Sequence, residues 1–177
     1  MGPEMILSES ARVTTAHEAS FRVPYPNSKP RAIKVIALDP VSAAIVDEVS
    51  RLPWHGASFF TSLSFTGATA PGGAHGASLQ AWLKDLAGRT MDLVSEIASS
   101  DFIVVVSTAG EDAQAAAVIA EVCALHHKTL VALVVPKPET TEEDVSTSLR
   151  FLRPYAKMLV IANERVYIEA MLTALRA

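Results

Sequence analysis

The sequence predicts an α/β protein whose open parallel sheet, of about five strands, lies between two layers of helices in a three-layer arrangement. Two observations lead to this prediction. Short apolar runs rich in β-branched residues recur along the chain, and segments with helical periodicity alternate with them. Half of the 177 residues are hydrophobic and only 19% are charged, which is enough apolar surface for a sizeable core. At this length we expect one domain.

The first part of the chain differs from the rest in its amino-acid composition. Pro3, Pro24, Pro26 and Pro30 stand among polar residues, and prolines interrupt any regular pattern of backbone hydrogen bonds. We interpret residues 1–31 as an N-terminal leader that can be mobile, within which 19–23 could form a short edge strand. The α/β domain is then expected over residues 32–177.

Four apolar runs are too short for helices and are typical of strands covered on both faces. A fifth run is weaker because its phenylalanines alternate irregularly with serines and threonine. The predicted strands are 33–38, 57–64 (the weaker one), 102–106, 130–135 and 158–162.

Helical periodicity fills the intervals between these strands. The predicted helices are 43–52, which Pro53 ends, a long helix over 79–97, an alanine-rich helix over 113–125, a helix over 141–152 and a last helix that starts at Asn163. Thr141 and Asn163 are the expected N-caps of the last two, because side chains of this kind accept hydrogen bonds from the first free N–H groups of a helix.

Charge and cysteine content exclude several classes of function. A net charge of −4 leaves no basic excess to neutralise phosphates, so we expect no nucleic-acid partner. A single cysteine, Cys123, excludes an internal disulfide and multi-cysteine metal sites. Every apolar run is far below the roughly 18 residues that span a bilayer, and the N-terminus carries no secretion signal. We therefore expect a cytoplasmic protein that has no membrane partner.

Loops after parallel strands meet at the carboxyl edge of the sheet, where ligands bind. The glycine-rich segment 66–76 and the turn 107–110 both offer backbone N–H groups ahead of a helix, which suits an anion. For the first we favour a flexible connector. For the second we favour capping, because Glu111 and Asp112, expected in the first helical turn, would repel a phosphate. If a ligand binds here, the candidate residues are Gly72, Gly73, Gly76, Ser107, Thr108, Ala109 and Gly110.

No catalytic or metal-binding constellation stands out. Asp39, before a proline at a helix start, could be a ligand or a base, but an N-cap is the favoured role. Cys123 with His126 and His127 has the i, i+3, i+4 spacing of a metal or nucleophile pair, against which we favour a buried cysteine and a helix end. An enzyme that uses Asp39 or His75 has only positional support.

Several segments, in order, resemble the nucleotide-binding half of the bacterial tubulin homologue FtsZ and its tubulin superfamily relatives, over about residues 32–167. The upstream strand 33–36 and the glycine loop 67–76 fall where that family has its first strand and a phosphate-contacting loop. This resemblance implies a Rossmann-like sheet. The strongest similarities are 101–110 to a strand that enters a Thr-Ala-Gly turn, 115–121 to the following helix, 134–138 to a Val-Val-Thr-Lys-Pro turn and 160–165 to a Val-Ile-Pro-Asn-Asp-Arg segment.

The departures from that family concern its phosphate loops. Residues 39–44 contain no glycine, where the family has a glycine-rich loop. Only 111–114 stand between Gly110 and Ala115, in place of the signature Gly-Gly-Gly-Thr-Gly-Thr-Gly. The chain ends at Ala177, before the family's catalytic loop and second domain would follow. The resemblance therefore implies that GTP or GDP binding, GTP hydrolysis and GTP-driven filament assembly are lost, and no cofactor is expected.

Two hypotheses of function remain, besides the enzyme that has only positional support. The leading one is a non-catalytic FtsZ/tubulin-like domain that binds a protein partner or itself, since the core is retained and the phosphate loop is dismantled. The alternative is a sensor of a small molecule or nucleotide that uses the carboxyl-edge loops 66–76 and 107–114. In that case a pocket is expected between these two loops.

Overall fold

The computed structural model describes residues 30–62 and 82–177, and all structural statements below concern these residues. Within them, seven strands and five helices alternate along the chain. The strands are β1 (Ile33–Ala37), β2 (Ala57–Ser62), β3 (Trp82–Asp85), β4 (Thr90–Asp92), β5 (Phe102–Thr108), β6 (Thr129–Val135) and β7 (Met158–Ile161). The helices are α1 (Pro40–Ser50), α2 (Leu93–Ala98), α3 (Ala115–Leu125), α4 (Glu142–Leu152) and α5 (Arg165–Ala174).

All seven strands belong to one sheet, in the order β4-β3-β2-β1-β5-β6-β7. The five strands β2, β1, β5, β6 and β7 pair in parallel, as the sequence predicts. β3 pairs antiparallel with β2, and β4 pairs antiparallel with β3. The fold is therefore the predicted α/β class with a Rossmann-like sheet, extended by a hairpin that the sequence did not indicate.

That hairpin overturns the predicted long helix over 79–97. The structure has β3, a turn and β4 before a short helix, α2; residues 79–81 lie outside the described part. Gly88 adopts φ +83° in the turn, a backbone conformation that breaks a right-handed helix. Leu83 is fully buried in the sheet, and Asp92 caps α2 by accepting the N–H of Ser95. The spacing of the leucines matches helical periodicity and so predicted a helix. The turn and the pairing of β3 with β2 give this segment a strand structure instead.

Helices cover both faces of the sheet. On one face lie α2, α3 and α4, and on the other lie α1 and α5. The central strand β5 contributes to both layers: Ile103 and Val105 face the first, Val104 and Val106 face the second, and all four have no exposed surface. α1 and α3, which follow β1 and β5, are therefore on opposite faces, so the carboxyl ends of these two strands form the topological switch point where ligands bind in such sheets.

The strand predicted at 158–162 is confirmed, but its burial is not. Within residues 30–62 and 82–177, β7 is an outer strand that pairs only with β6, and Met158 and Ile161 are 47% and 43% exposed. An apolar run read from sequence cannot distinguish a central strand from an outer strand, because position in the sheet depends on long-range pairing.

Smaller differences concern helix ends. α1 ends at Ser50, ahead of Pro53, and α3 begins at Ala115 rather than at residue 113. Glu164, not Asn163, is the N-cap of α5, without a capping side-chain hydrogen bond. Thr141 caps α4 as predicted. No helix in the described part of the chain is long and apolar enough to cross a membrane.

Candidate functional site

The switch point between β1 and β5 is filled by a carboxylate of the protein itself. Asp39 follows β1, and its side chain is 7% exposed. Its Oδ1 accepts the N–H of Ser42 at 2.8 Å and the hydroxyl of Thr108 at 2.8 Å, and its Oδ2 accepts the N–H of Thr108 at 2.7 Å. The carboxylate is thus held by three donors, one on Ser42 of α1 and two on Thr108 at the end of β5, which is 69 residues from Asp39 in the chain.

Asp39 has the predicted N-cap role, and it forms a capping box with Ser42, whose hydroxyl accepts the Asp39 N–H at 3.2 Å. The contact with Thr108 goes beyond a cap. Charge-assisted hydrogen bonds of this length are strong, and they join the end of β1 to the end of β5. The N–H groups of Ser42 and Thr108 at this crevice therefore donate to Asp39 and not to an anion.

The turn after β5 brings four of the predicted ligand residues together. Ser107, Thr108 and Ala109 are buried, with 0%, 0% and 3% of their surface exposed. Gly110 adopts φ +83°, and its N–H donates to the Ser148 hydroxyl of α4 at 3.0 Å. A Cβ at Gly110 would lie 3.3 Å from the Asp144 side chain. The turn therefore packs against α4.

Glu111 and Asp112 do not lie in the first turn of α3, as the sequence prediction had them, because α3 begins at Ala115. Asp112 accepts the Gln114 N–H at 2.9 Å, a local contact ahead of the helix. Glu111 instead accepts a hydrogen bond from Lys137 Nζ at 3.0 Å, and this bond raises the pKa of the lysine. Lys137 is therefore an ion-pair partner that connects the loops after β5 and β6.

The start of α4 contributes the last contacts at this edge of the sheet. Asp144 Oδ2 accepts the Thr141 N–H at 3.1 Å and the Thr141 hydroxyl at 2.8 Å. The backbone hydrogen bond from Thr141 is the main reason why the pKa of Asp144 lies below its usual value of 3.8. Negative charge at a helix N-terminus is also favourable for the helix dipole. This carboxylate stabilises α4 and makes one wall of the crevice more acidic.

The cysteine and histidine group has the structure expected of a helix end. Cys123 is 2% exposed, and burial raises the pKa of its thiol to about 12. α3 ends at Leu125, and His127 adopts φ 54° just beyond it. Within residues 30–62 and 82–177, no three His, Cys, Asp or Glu side chains are grouped so that they could hold a metal ion.

The other predicted ligand residues, Gly72, Gly73 and Gly76, lie outside the described residues, as does His75, the candidate of the enzyme hypothesis. Their role in binding stays a prediction. Sequence reasoning missed Ser148, the acceptor for Gly110. A signal for it exists: Ser148 falls on the apolar stripe of α4 with Val145 and Leu152, where a lone serine needs a hydrogen-bond partner.

Comparison with known proteins adds no family assignment. No protein-family model and no curated protein matches this chain. The resemblance to FtsZ and tubulin therefore stays a prediction from the sequence.

Proposed function

We propose that this chain is a non-catalytic FtsZ/tubulin-like domain that acts through contacts with a protein, including a second copy of itself, and that it does not bind GTP or GDP. The Asp39 carboxylate at the switch point is the observation that carries this proposal. A phosphate at that position needs backbone N–H donors and space between the two loops. Asp39 takes the N–H groups of Ser42 and Thr108, and its negative charge opposes a phosphate there.

The loop after β5 supports the same conclusion. The Gly110 N–H has Ser148 as its acceptor, and the Gln114 N–H has Asp112. Lys137, which could otherwise meet an anion, lies against Glu111 and has Glu139 at 3.8 Å. To bind here, a phosphate must break these contacts and then lie close to several carboxylates. The free energy lost in this way exceeds the free energy that the phosphate's own hydrogen bonds supply.

Exposed apolar side chains support the part of the proposal that concerns contact with a protein. Met158 and Ile161 of β7 are exposed at the edge of the sheet, as are Val166 and Tyr167 in the first turn of α5. Apolar side chains grouped at a sheet edge are typical of surfaces that contact other proteins.

A thermal-shift titration tests the loss of nucleotide binding. The full chain is melted with GTP, GDP or ATP, each with and without Mg²⁺. Because a ligand that binds the native state raises its stability, the proposal expects no change in Tm that depends on guanine and magnesium together. A rise in Tm that saturates with GTP or GDP and requires Mg²⁺ would overturn the proposal and favour the sensor hypothesis.

The Asp39→Ala variant, melted with inorganic phosphate, is the matched control for the assigned cause. Removal of the carboxylate frees the N–H groups of Ser42 and Thr108, so we expect a larger stabilisation by phosphate than in the unmodified chain. Equal responses of the two chains would show that Asp39 does not block an anion.

A further inference from the structure

Among the described residues, no strand pairs with the outer edge of β7, so its backbone there can pair with another strand. The Ala162 N–H donates to the Val134 carbonyl of β6 at 2.9 Å. Because backbone groups point to alternate sides along a strand, Val160 also faces β6, whereas the N–H and C=O groups of Leu159 and Ile161 point away from the sheet. Leu159 and Ile161 are two residues apart, which is the spacing that an antiparallel partner strand requires.

Apolar surface on both faces of β7 accompanies this open edge. On the α4 face, a groove of about 550 Å³ runs beside the strand, lined by Leu149, Ala156, Leu159 and Ile161 with Arg153 and Lys157 at its rim. On the α5 face, Met158 is 47% exposed at one end of the strand, and Val166 is 62% exposed beyond the other end.

We propose that two copies of this chain associate through their β7 strands, antiparallel about a two-fold axis at Val160. This inference rests on the proposed function and specifies the surface that self-association uses. In this register, Leu159 pairs with Ile161 of the second copy and exchanges both backbone hydrogen bonds with it. The two seven-stranded sheets become one continuous sheet.

Side chains are complementary in that arrangement. Ile161 of the second copy lies beside Leu159, over the apolar groove. Met158 lies beside Ala162 of the second copy, next to the α5 turn that carries Val166. Both contacts occur twice because of the two-fold symmetry, as an isologous interface requires. The exposed apolar groups at opposite ends of β7 thus cover each other.

The charges at the two ends of β7 point to the same antiparallel direction. Arg153 and Lys157 make the end before the strand basic, and Glu164 makes the end after it acidic. Arg165, the nearby cation, is already paired with Glu48 at 3.0 Å and Glu169 at 2.9 Å. An antiparallel second copy brings basic ends against acidic ends. A four-residue strand makes a small interface, so we expect a weak, reversible dimer.

Sedimentation velocity of the full chain over the micromolar range tests this inference. We expect a monomer–dimer equilibrium that Met158→Lys shifts at least tenfold toward monomer, because the lysine must then be buried beside Ala162. Leu86→Lys is the matched control, since Leu86 is 44% exposed in the turn at the other end of the sheet, and it should leave the equilibrium unchanged.

Charge reversal tests the antiparallel direction. Lys157→Glu should weaken the dimer by placing like charges beside Glu164 of the second copy, and Lys157→Glu with Glu164→Lys should restore it. Hydrogen exchange adds a readout for the backbone: the amides of Leu159 and Ile161 should become more protected as the protein concentration of the unmodified chain rises, whereas the amide of Val160, which faces β6, should not change.

The outcomes separate the inference from the proposed function. Dimers that persist in both Met158→Lys and Lys157→Glu would overturn the β7 interface and leave self-association standing. A dimer that the double charge reversal fails to restore would overturn the antiparallel register. A chain that is monomeric throughout the range would overturn both the interface and the self-association part of the proposed function.

Discussion

The centre and the outer edge of this sheet differ in almost every physical respect. At the centre, β5 has neighbours on both sides and helices on both faces, and Ile103 to Val106 have no exposed surface. At the edge, β7 has one neighbouring strand, and its first and last residues are nearly half exposed. The polar groups at the end of β5 are bound to each other, whereas β7 keeps backbone and apolar groups open.

This contrast teaches where a function can be located in such a fold. Parallel sheets usually bind ligands at the carboxyl ends of their central strands. Here that position holds Asp39, Thr108 and Ser148 in contacts within the protein. Among the residues that the structure describes, exposed apolar side chains lie instead at the edge of the sheet, which is the observation behind the proposed contact with another protein.

The largest expected effect on stability comes from truncation of an isoleucine to alanine, made once in the buried strand β5 and once in the edge strand β7. Ile103→Ala should reduce the free energy of unfolding by about 4 kcal/mol, because it leaves a cavity in a fully buried strand. Ile161→Ala should reduce it by less than about 1 kcal/mol, because much of that side chain is already in water. Urea unfolding at low protein concentration measures both. Losses of similar size would mean that β7 is covered in the folded monomer.

Removal of the Asp39 carboxylate should have the next largest effect on the free energy of unfolding. Asp39→Ala should cost about 3 kcal/mol, since it deletes an N-cap and leaves three buried donors without an acceptor. Asp39→Asn retains one acceptor oxygen and should cost less. A loss below about 1 kcal/mol for Asp39→Ala in urea unfolding would show that water replaces the carboxylate and that the crevice is open.

Two glycines with the same backbone conformation sharpen the comparison further. Gly110 and Gly88 both have φ +83°, so alanine strains the backbone at each by about 1 kcal/mol. At Gly110 the new Cβ also meets Asp144 at 3.3 Å, whereas at Gly88 the nearest atom is the flexible end of Lys84 at 3.5 Å. Gly110→Ala should therefore lower Tm more than Gly88→Ala does. Equal shifts would mean that the turn after β5 is loosely packed.

The smallest expected effect is the change in stability at acid pH when the Asp144 carboxylate is removed. The pKa of Asp144 is lowered by hydrogen bonds from Thr141, so its stabilising contribution is present above the unfolded value of 3.8 and is lost as the pH falls through the lower folded value. Asp144→Asn should be less stable than the unmodified chain at neutral pH, and the difference should shrink below pH 3.8. Glu143→Gln, in the same helical turn but outside the capping box, should show a weaker dependence on pH.

Much of the fold follows from local signals. The apolar runs at β1, β5 and β6 and the caps Asp39 and Thr141 were readable because each depends on neighbouring residues. The hairpin of β3 and β4 was not readable, because leucines at helical spacing outweighed the signal of Gly88. For the site, the turn residues 107–110 were identified, but their partners were not.

The sequence alone determined the layered α/β class, the caps of α1 and α4 and the absence of glycine from residues 39–44, since these depend on periodicity and on the identity of adjacent residues. Only the tertiary structure decided that Asp39 closes the crevice against Thr108 and that Glu111 pairs with Lys137. It also decided that β7 is an outer strand. Such contacts join residues far apart in the chain, and their geometry exists only once the sheet has assembled.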